Sequence, residues 1–187
     1  MMHAFTSHWL GDDTAYLQGR VTINPLKHID PFFTLALPLL LVLAGAAPFG
    51  AARPVQVNFH RLKYGEYGAA IVGMVGPLTN LAIAVVTAVI FRKFPPTTQL
   101  SLDIFVTVVG VNVGFFIFNT IPWPPLDGSR LLHAFAPRPL QEFMESIERM
   151  GMNGLLIFML IVLTVLSVPL SNLIRGVSNA LLGAQVF

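Results

Sequence analysis

Cysteine is absent from this chain of 187 residues, which excludes disulfides and any metal site built on thiolate ligands. Charge is nearly as scarce. Asp, Glu, Lys and Arg supply 11% of the residues, against about 25% in a soluble domain, too little to coat a water-facing surface. The basic residues are scattered and the net charge is +2, so no basic patch offers a nucleic-acid site. No glycine-rich phosphate loop is present, and Ser7 and Ser129 stand in no base-bearing motif, so neither nucleotide binding nor serine hydrolysis has support. The first residues lack the basic segment and apolar run of a secretory signal.

What is there is apolar. Hydrophobic residues make up 55% of the chain and its mean hydropathy is +0.72, the composition of an integral membrane protein. A helix needs roughly 20 apolar residues to cross a bilayer. Four segments qualify: 33–52, 68–91, 102–121 and 153–174, the last closed by Arg175. All are expected to be helices, because backbone groups in lipid must satisfy one another. The expectation is a single all-α membrane domain, a polytopic bundle of about four spans plus a partial N-terminal helix at 1–10. The stretches 19–31 and 53–62 alternate apolar and polar residues (Val21 and Ile23; Val55, Val57 and Phe59) beside turn signals, and predict short interfacial β segments. The segment 141–151 reads as a solvated surface helix, with Glu145 and Arg149 spaced to pair. Orientation is not legible: Arg20, Lys27, Arg92, Lys93 and Arg175 fall on one side, and Arg53, Arg61, Lys63, Arg130, Arg138 and Arg149 on the other, an even balance under the positive-inside rule.

Ionisable groups at membrane depth are costly and are functional suspects by default. Asp127 leads them, in "FNTIPWPPLDGSRLL" (118–132). Pro122, Pro124 and Pro125 cannot sit in a regular helix interior, so they predict an irregular stretch that ends where "SRLLHAF" turns helical. Asp127 then lies at a helix start, where its bland role is an N-cap. In "GMVGPLTNLAIA" (73–84), Gly73 and Gly76 permit close helix approach and Asn80 offers one interhelical hydrogen bond. His3, taken alone, is an ordinary terminal residue.

Together, "HAFTSHWLGDDTA" (3–15), "GRVTINPLKHIDP" (19–31), "GPLTN" (76–80) and "NTIPWPPLDGSRLL" (119–132) resemble, in order, the motifs of the site-2 protease family. These are intramembrane zinc metalloproteases, and the likeness is to the compact bacterial type without a PDZ insertion. The resemblance covers about 3–135. It implies hydrolysis of peptide bonds in or near transmembrane segments by metal-activated water, in a multi-pass protein of the bacterial plasma membrane. The implied partners are a substrate helix and the lipid bilayer, with no nucleic acid. The implied cofactor is Zn2+, with His3 as the second His of HExxH and Asp127 as a further ligand. Asn80, Asn119 and Gly128 would position substrate or zinc-site groups.

The chain departs from that pattern at HExxH. Met1 and Met2 fill the spacer before His3, and the first His and the general-base Glu would lie ahead of Met1. A catalytic zinc usually takes three protein ligands, so the chain as written is expected to bind zinc poorly and to hydrolyse nothing. It reads as a site-2 protease truncated within HExxH. Two other readings stay open: a non-catalytic relative that binds membrane segments, and a small transporter or channel subunit with a polar path through Asp127, Asn80 and Asn112.

Overall fold

The computed structural model describes residues 1–22, 24 and 57–183. The predicted span at 33–52 lies outside them, as does most of 19–31. The described residues fall into two compact units, Met1–Gly68 and Ala69–Phe187.

In the N-terminal unit, α1 (Met2–Trp9) is followed by the single turn α2 (Thr14–Leu17). Ala4, Leu10, Ala15 and Leu62 are buried and form its small core. The described part of the predicted 53–62 strand is instead an irregular link at 57–58 and a 3-10 turn, Phe59–Arg61. The backbone donors explain the difference. The N–H of Asn58 goes to the Asp12 carboxylate at 2.8 Å, and that of Lys63 to the Leu10 carbonyl at 2.8 Å. A strand would need those donors for a neighbouring strand, and none is present among the described residues.

In the C-terminal unit the apolar segments form the expected helices. Helix α3 (Gly65–Lys93) leads into this unit from Ala69 onward, and α4 (Gln99–Thr120) follows. Thr98 caps α4: its Oγ1 accepts the Ser101 N–H at 3.2 Å while the Ser101 Oγ accepts the Thr98 N–H, a reciprocal closure of free N–H groups. Helices α5 (Asp127–Phe135) and α6 (Arg138–Arg149) come next, then α7 (Met152–Ile161) and α8 (Ser167–Leu182), joined by a π turn at Val162–Leu166. The last span therefore runs on past Arg175 to Leu182, a correction to the sequence boundary. Arg175 is the charged residue of α8, and a long basic side chain can reach the interface from within a span. The π turn has a cause in Pro169, which cannot donate to the Val165 carbonyl and crowds it.

Three helices, Gly65–Lys93, Gln99–Thr120 and Leu156–Leu182, are long and apolar enough to cross a membrane. Their shared core is Ala84 and Ala88 of α3, Val109 and Val113 of α4, and Leu182 of α8. Small and β-branched residues at the contact let the backbones approach, which is how helices associate where no water drives them together. The larger side chains point outward: Val86, Leu100, Phe115, Leu163 and Val168 are exposed, as lipid-facing positions should be.

One polar contact locks the bundle. Arg92, in the last turn of α3, donates to the Ala180 carbonyl at 2.6 Å, beside Gly183, whose φ of 73° ends α8. A cation on the last carbonyls of a helix meets the negative end of its dipole. Replacing Arg92 with Met is expected to cost about 1 kcal/mol, read from the midpoint of detergent-driven unfolding, while the spans stay helical.

Candidate functional site

The break between α4 and α5 positions Asp127. Across 121–126 three of six residues are prolines with no N–H to satisfy. The remaining three donors are all paired locally: Ile121 to the Phe118 carbonyl at 3.2 Å, Trp123 to that of Ile121 at 2.8 Å, and Leu126 to that of Trp123 at 2.8 Å. The Pro124–Pro125 bond is cis. Trp123 stacks on Phe158 of α7 with ring centroids 6.1 Å apart, which pins the break against the last span. Leu126, extended at φ −73° and ψ 157°, is the residue that caps α5. Asp127 is thus the first helical residue rather than the N-cap. Its half-buried carboxylate stands in the first turn, where the helix dipole favours negative charge.

Two glycines fix where that turn sits. A Cβ on Gly128 would fall on the Thr120 carbonyl, and one on Gly73 would lie 2.9 Å from the Asp127 carbonyl oxygen and 3.1 Å from the Arg130 Cβ. So α5 begins in backbone contact both with the end of α4 and with α3. Gly73 is eight residues into α3, about 12 Å along its axis at 1.5 Å per residue. Pro77, buried four residues later, has no N–H to donate to the Gly73 carbonyl. Asn80 lies seven residues from Gly73, hence on the same stripe of α3.

Beyond Asp127, Ser129 is buried and donates to the Leu126 carbonyl at 2.6 Å. Arg130 pairs with Glu148 of α6 at 3.0 Å. Glu145 bridges the Arg149 guanidinium at 3.1 Å and the His133 ring at 3.9 Å, so the i,i+4 pair read from the sequence also ties α6 to α5. The Arg130–Glu148 pair lines a cleft of about 410 Å³ with Pro124, Pro125, Ile147, Gly151 and Gly154.

The other predicted residues sit as follows. Asn119 is the penultimate residue of α4, and its side-chain N–H donates to the Phe115 carbonyl of its own helix at 2.9 Å. Asn112 does the same to Val108 at 2.8 Å; such back-bonding spends a donor inside the helix. His3 lies half-buried on α1, in the N-terminal unit. Among the described residues no three His, Asp or Glu side chains gather into a group that could hold a metal ion. The described donors therefore do not by themselves compose the three-ligand set of a catalytic zinc.

Asp12 is the residue whose part the sequence did not disclose. Fully buried, its carboxylate accepts the Thr14 hydroxyl at 2.5 Å, the Thr14 N–H at 3.1 Å and the Asn58 N–H at 2.8 Å. Burial pushes the Asp12 carboxyl up, but these hydrogen bonds and the Arg61 charge outweigh it and hold it below its ordinary 3.8. The adjacent Asp13 faces outward and pairs with the His8 ring at 2.6 Å. An aspartate followed two residues later by threonine was the available signal, since that pair builds an Asx-type turn.

Two outcomes follow from these contacts. Gly128→Ala should destabilise the C-terminal unit by about 2–3 kcal/mol and Gly73→Ala by less, read as unfolding midpoints in detergent. Asp12→Asn should speed hydrogen exchange at the Asn58 amide at neutral pH. In the parent chain the same acceleration should set in only under acid: a depressed carboxyl gives stability that is present above 3.8 and lost as pH falls through the lower folded value.

No family model matches the chain, and no solved structure matches it. Curated relatives do. It is 34% identical over 159 residues to the candidate zinc metalloprotease YwhC of Bacillus subtilis, covering 81% of this chain and 69% of that one. It is 31% identical over 128 residues to the candidate zinc metalloprotease Rip2 of Mycolicibacterium smegmatis, covering 67% and 48%. MJ0611 of Methanocaldococcus jannaschii, named likewise, is 33% identical over 100 residues, covering 52% and 50%. With more than two thirds of YwhC matched and the four sequence motifs in order, the chain belongs to the site-2 protease family of zinc metalloproteases.

Proposed function

We propose that this protein acts in intramembrane proteolysis, hydrolysing peptide bonds in or near the transmembrane segments of other membrane proteins. In this reading His3 and Asp127 are zinc ligands, and Asn80, Asn119 and Gly128 organise the surroundings. The bundle resides in the bacterial plasma membrane. The observation that carries the reading is the start of α5. A carboxylate there is held by backbone contact with a membrane span, through a glycine where a Cβ would meet the Asp127 carbonyl oxygen at 2.9 Å. An ionisable group among apolar helices is expensive to keep, and a metal ligand is a role that warrants the expense.

Zinc, when bound, would polarise the scissile carbonyl and acidify a water. The described donors do not complete its ligand set, so no step is derived through it. The reading requires in addition the His and the Glu that the family motif places one helical turn before His3. What this chain's own residues contribute is a carboxylate at the positive end of α5, its backbone fixed against α3 and the end of α4. Substrate must arrive locally unwound, because a helix keeps its carbonyls in its own hydrogen bonds.

The test uses the longest form of the protein that cells make, purified in detergent and reconstituted with a transmembrane peptide. Asp127→Asn is expected to drop bound zinc from near one equivalent towards none and cleavage by about 100-fold or more. Retention of both zinc and cleavage in that variant would sink the assignment. A parent protein that captures the peptide without zinc and without cutting it would favour the non-catalytic relative.

A further inference from the structure

All three tyrosines of the chain and one of its two tryptophans lie in the N-terminal unit, and all four are exposed. Trp9 is 71% exposed, Tyr16 55%, Tyr64 73% and Tyr67 56%. They are not scattered over it. The hydrogen bond from the Lys63 N–H to the Leu10 carbonyl joins the residues next to Trp9 and Tyr64, so the two backbone positions that carry these rings lie close together. Tyr16 stacks on His8 with ring centroids 4.7 Å apart, beside Trp9. Tyr67 is three residues after Tyr64, whose carbonyl accepts its N–H at 3.1 Å. The four rings are thus carried by backbone positions gathered at the end of α1, α2 and the beginning of α3, a band of exposed aromatic positions.

Tyr64 carries a second mark. Its φ is 68°, and among the described residues it is the non-glycine in the left-handed region, a conformation that a bulky residue adopts at a cost. Its exposed ring leaves most of that cost unmet by contacts within the protein. Phenol and indole rings with a polar tip collect at the headgroup level of bilayers, where the ring is in the apolar layer and the tip is wet. Tyr64 and Tyr67 flank the first turn of a helix long and apolar enough to span a membrane, and Arg61 and Lys63 stand just outside it, as interfacial cations do.

We propose that this band is a membrane-interface anchor, seated among the glycerol and headgroup atoms of the leaflet in which α3 begins. Its partner is the phospholipid surface rather than another protein. The Asp12 clamp, by tying the α1–α2 loop to Asn58, brings together the two distant stretches of chain that carry the rings. This inference does not depend on the chain being a protease.

The test places a single tryptophan at the band in the full chain reconstituted into phosphatidylcholine vesicles. Trp123→Phe leaves Trp9 as reporter; a second form, Trp9→Phe with Trp123→Phe and Tyr64→Trp, reports from the other edge of the band. Nitroxide-labelled lipids then carry the quencher either near the glycerol or near the methyl end of the acyl chain, with iodide as the aqueous quencher. Both reporters should be quenched several-fold more by the shallow lipid probe than by the deep one or by iodide, independently of protein-to-lipid ratio. Strong iodide quenching without lipid quenching would overturn the anchor, and so would a deep-probe maximum. Shielding from all three quenchers that disappears as the protein is diluted in lipid would assign the band to a second copy instead.

Discussion

A chain can leave helical geometry inside a membrane only if every backbone donor it frees finds another acceptor, and the rest of the C-terminal unit depends on how 121–126 meets that condition. The solution is largely compositional. Three prolines remove half of the donors in advance, and the other three bond to carbonyls two or three residues back. The break is therefore cheap in hydrogen bonds, and it can be short and rigid. What it delivers is a new helix whose first residue is an aspartate, in contact with the end of α4 and with the flank of α3. Lengthening it, or exchanging its prolines for residues with an N–H, would add donors with no assured acceptor.

Much of this arrangement is legible in the residues. The spans follow from hydropathy, the break from Pro122, Pro124 and Pro125, and the helix start from the Gly128-Ser129 turn of composition. The motif order also announced the family. What could not be read was which groups the glycines admit. That Gly73 receives the Asp127 carbonyl, and Gly128 the Thr120 carbonyl, requires the three-dimensional crossing of helices far apart in sequence. The strand expected at 53–62 failed in its described half for a similar reason. Alternation records which side of a segment is apolar, but the acceptors for Asn58 and Lys63 lie 46 and 53 residues away, at Asp12 and Leu10. The N-cap reading of Asp127 erred by one position because Leu126, with no polar side chain, adopts the extended cap geometry itself.

Two aspartates in the chain illustrate opposite uses of the same group. Asp12 has its oxygens occupied by three donors and serves as a structural clamp. Asp127 is the first residue of α5 and stands at a dipole end within the apolar unit. Burial alone does not separate the two roles, since the clamp is the more buried of the pair. Position separates them: Asp12 closes a turn, and Asp127 opens a helix.

The π turn at Val162–Leu166 bears on how many residues the last span can hold. A π turn accommodates one residue more than the α-helical register would. Deleting a single residue there would restore ordinary helix with the residues beyond it kept near their present facing. A deletion in the regular helix on either side would instead rotate everything beyond it by about 100°. Leu182, which reaches the shared core, and Gly183, which lies under Arg92, would both turn away from their partners. A one-residue deletion outside the π turn would keep the composition and hydropathy of a good span, and would still disassemble the bundle; the same deletion within the turn would be absorbed.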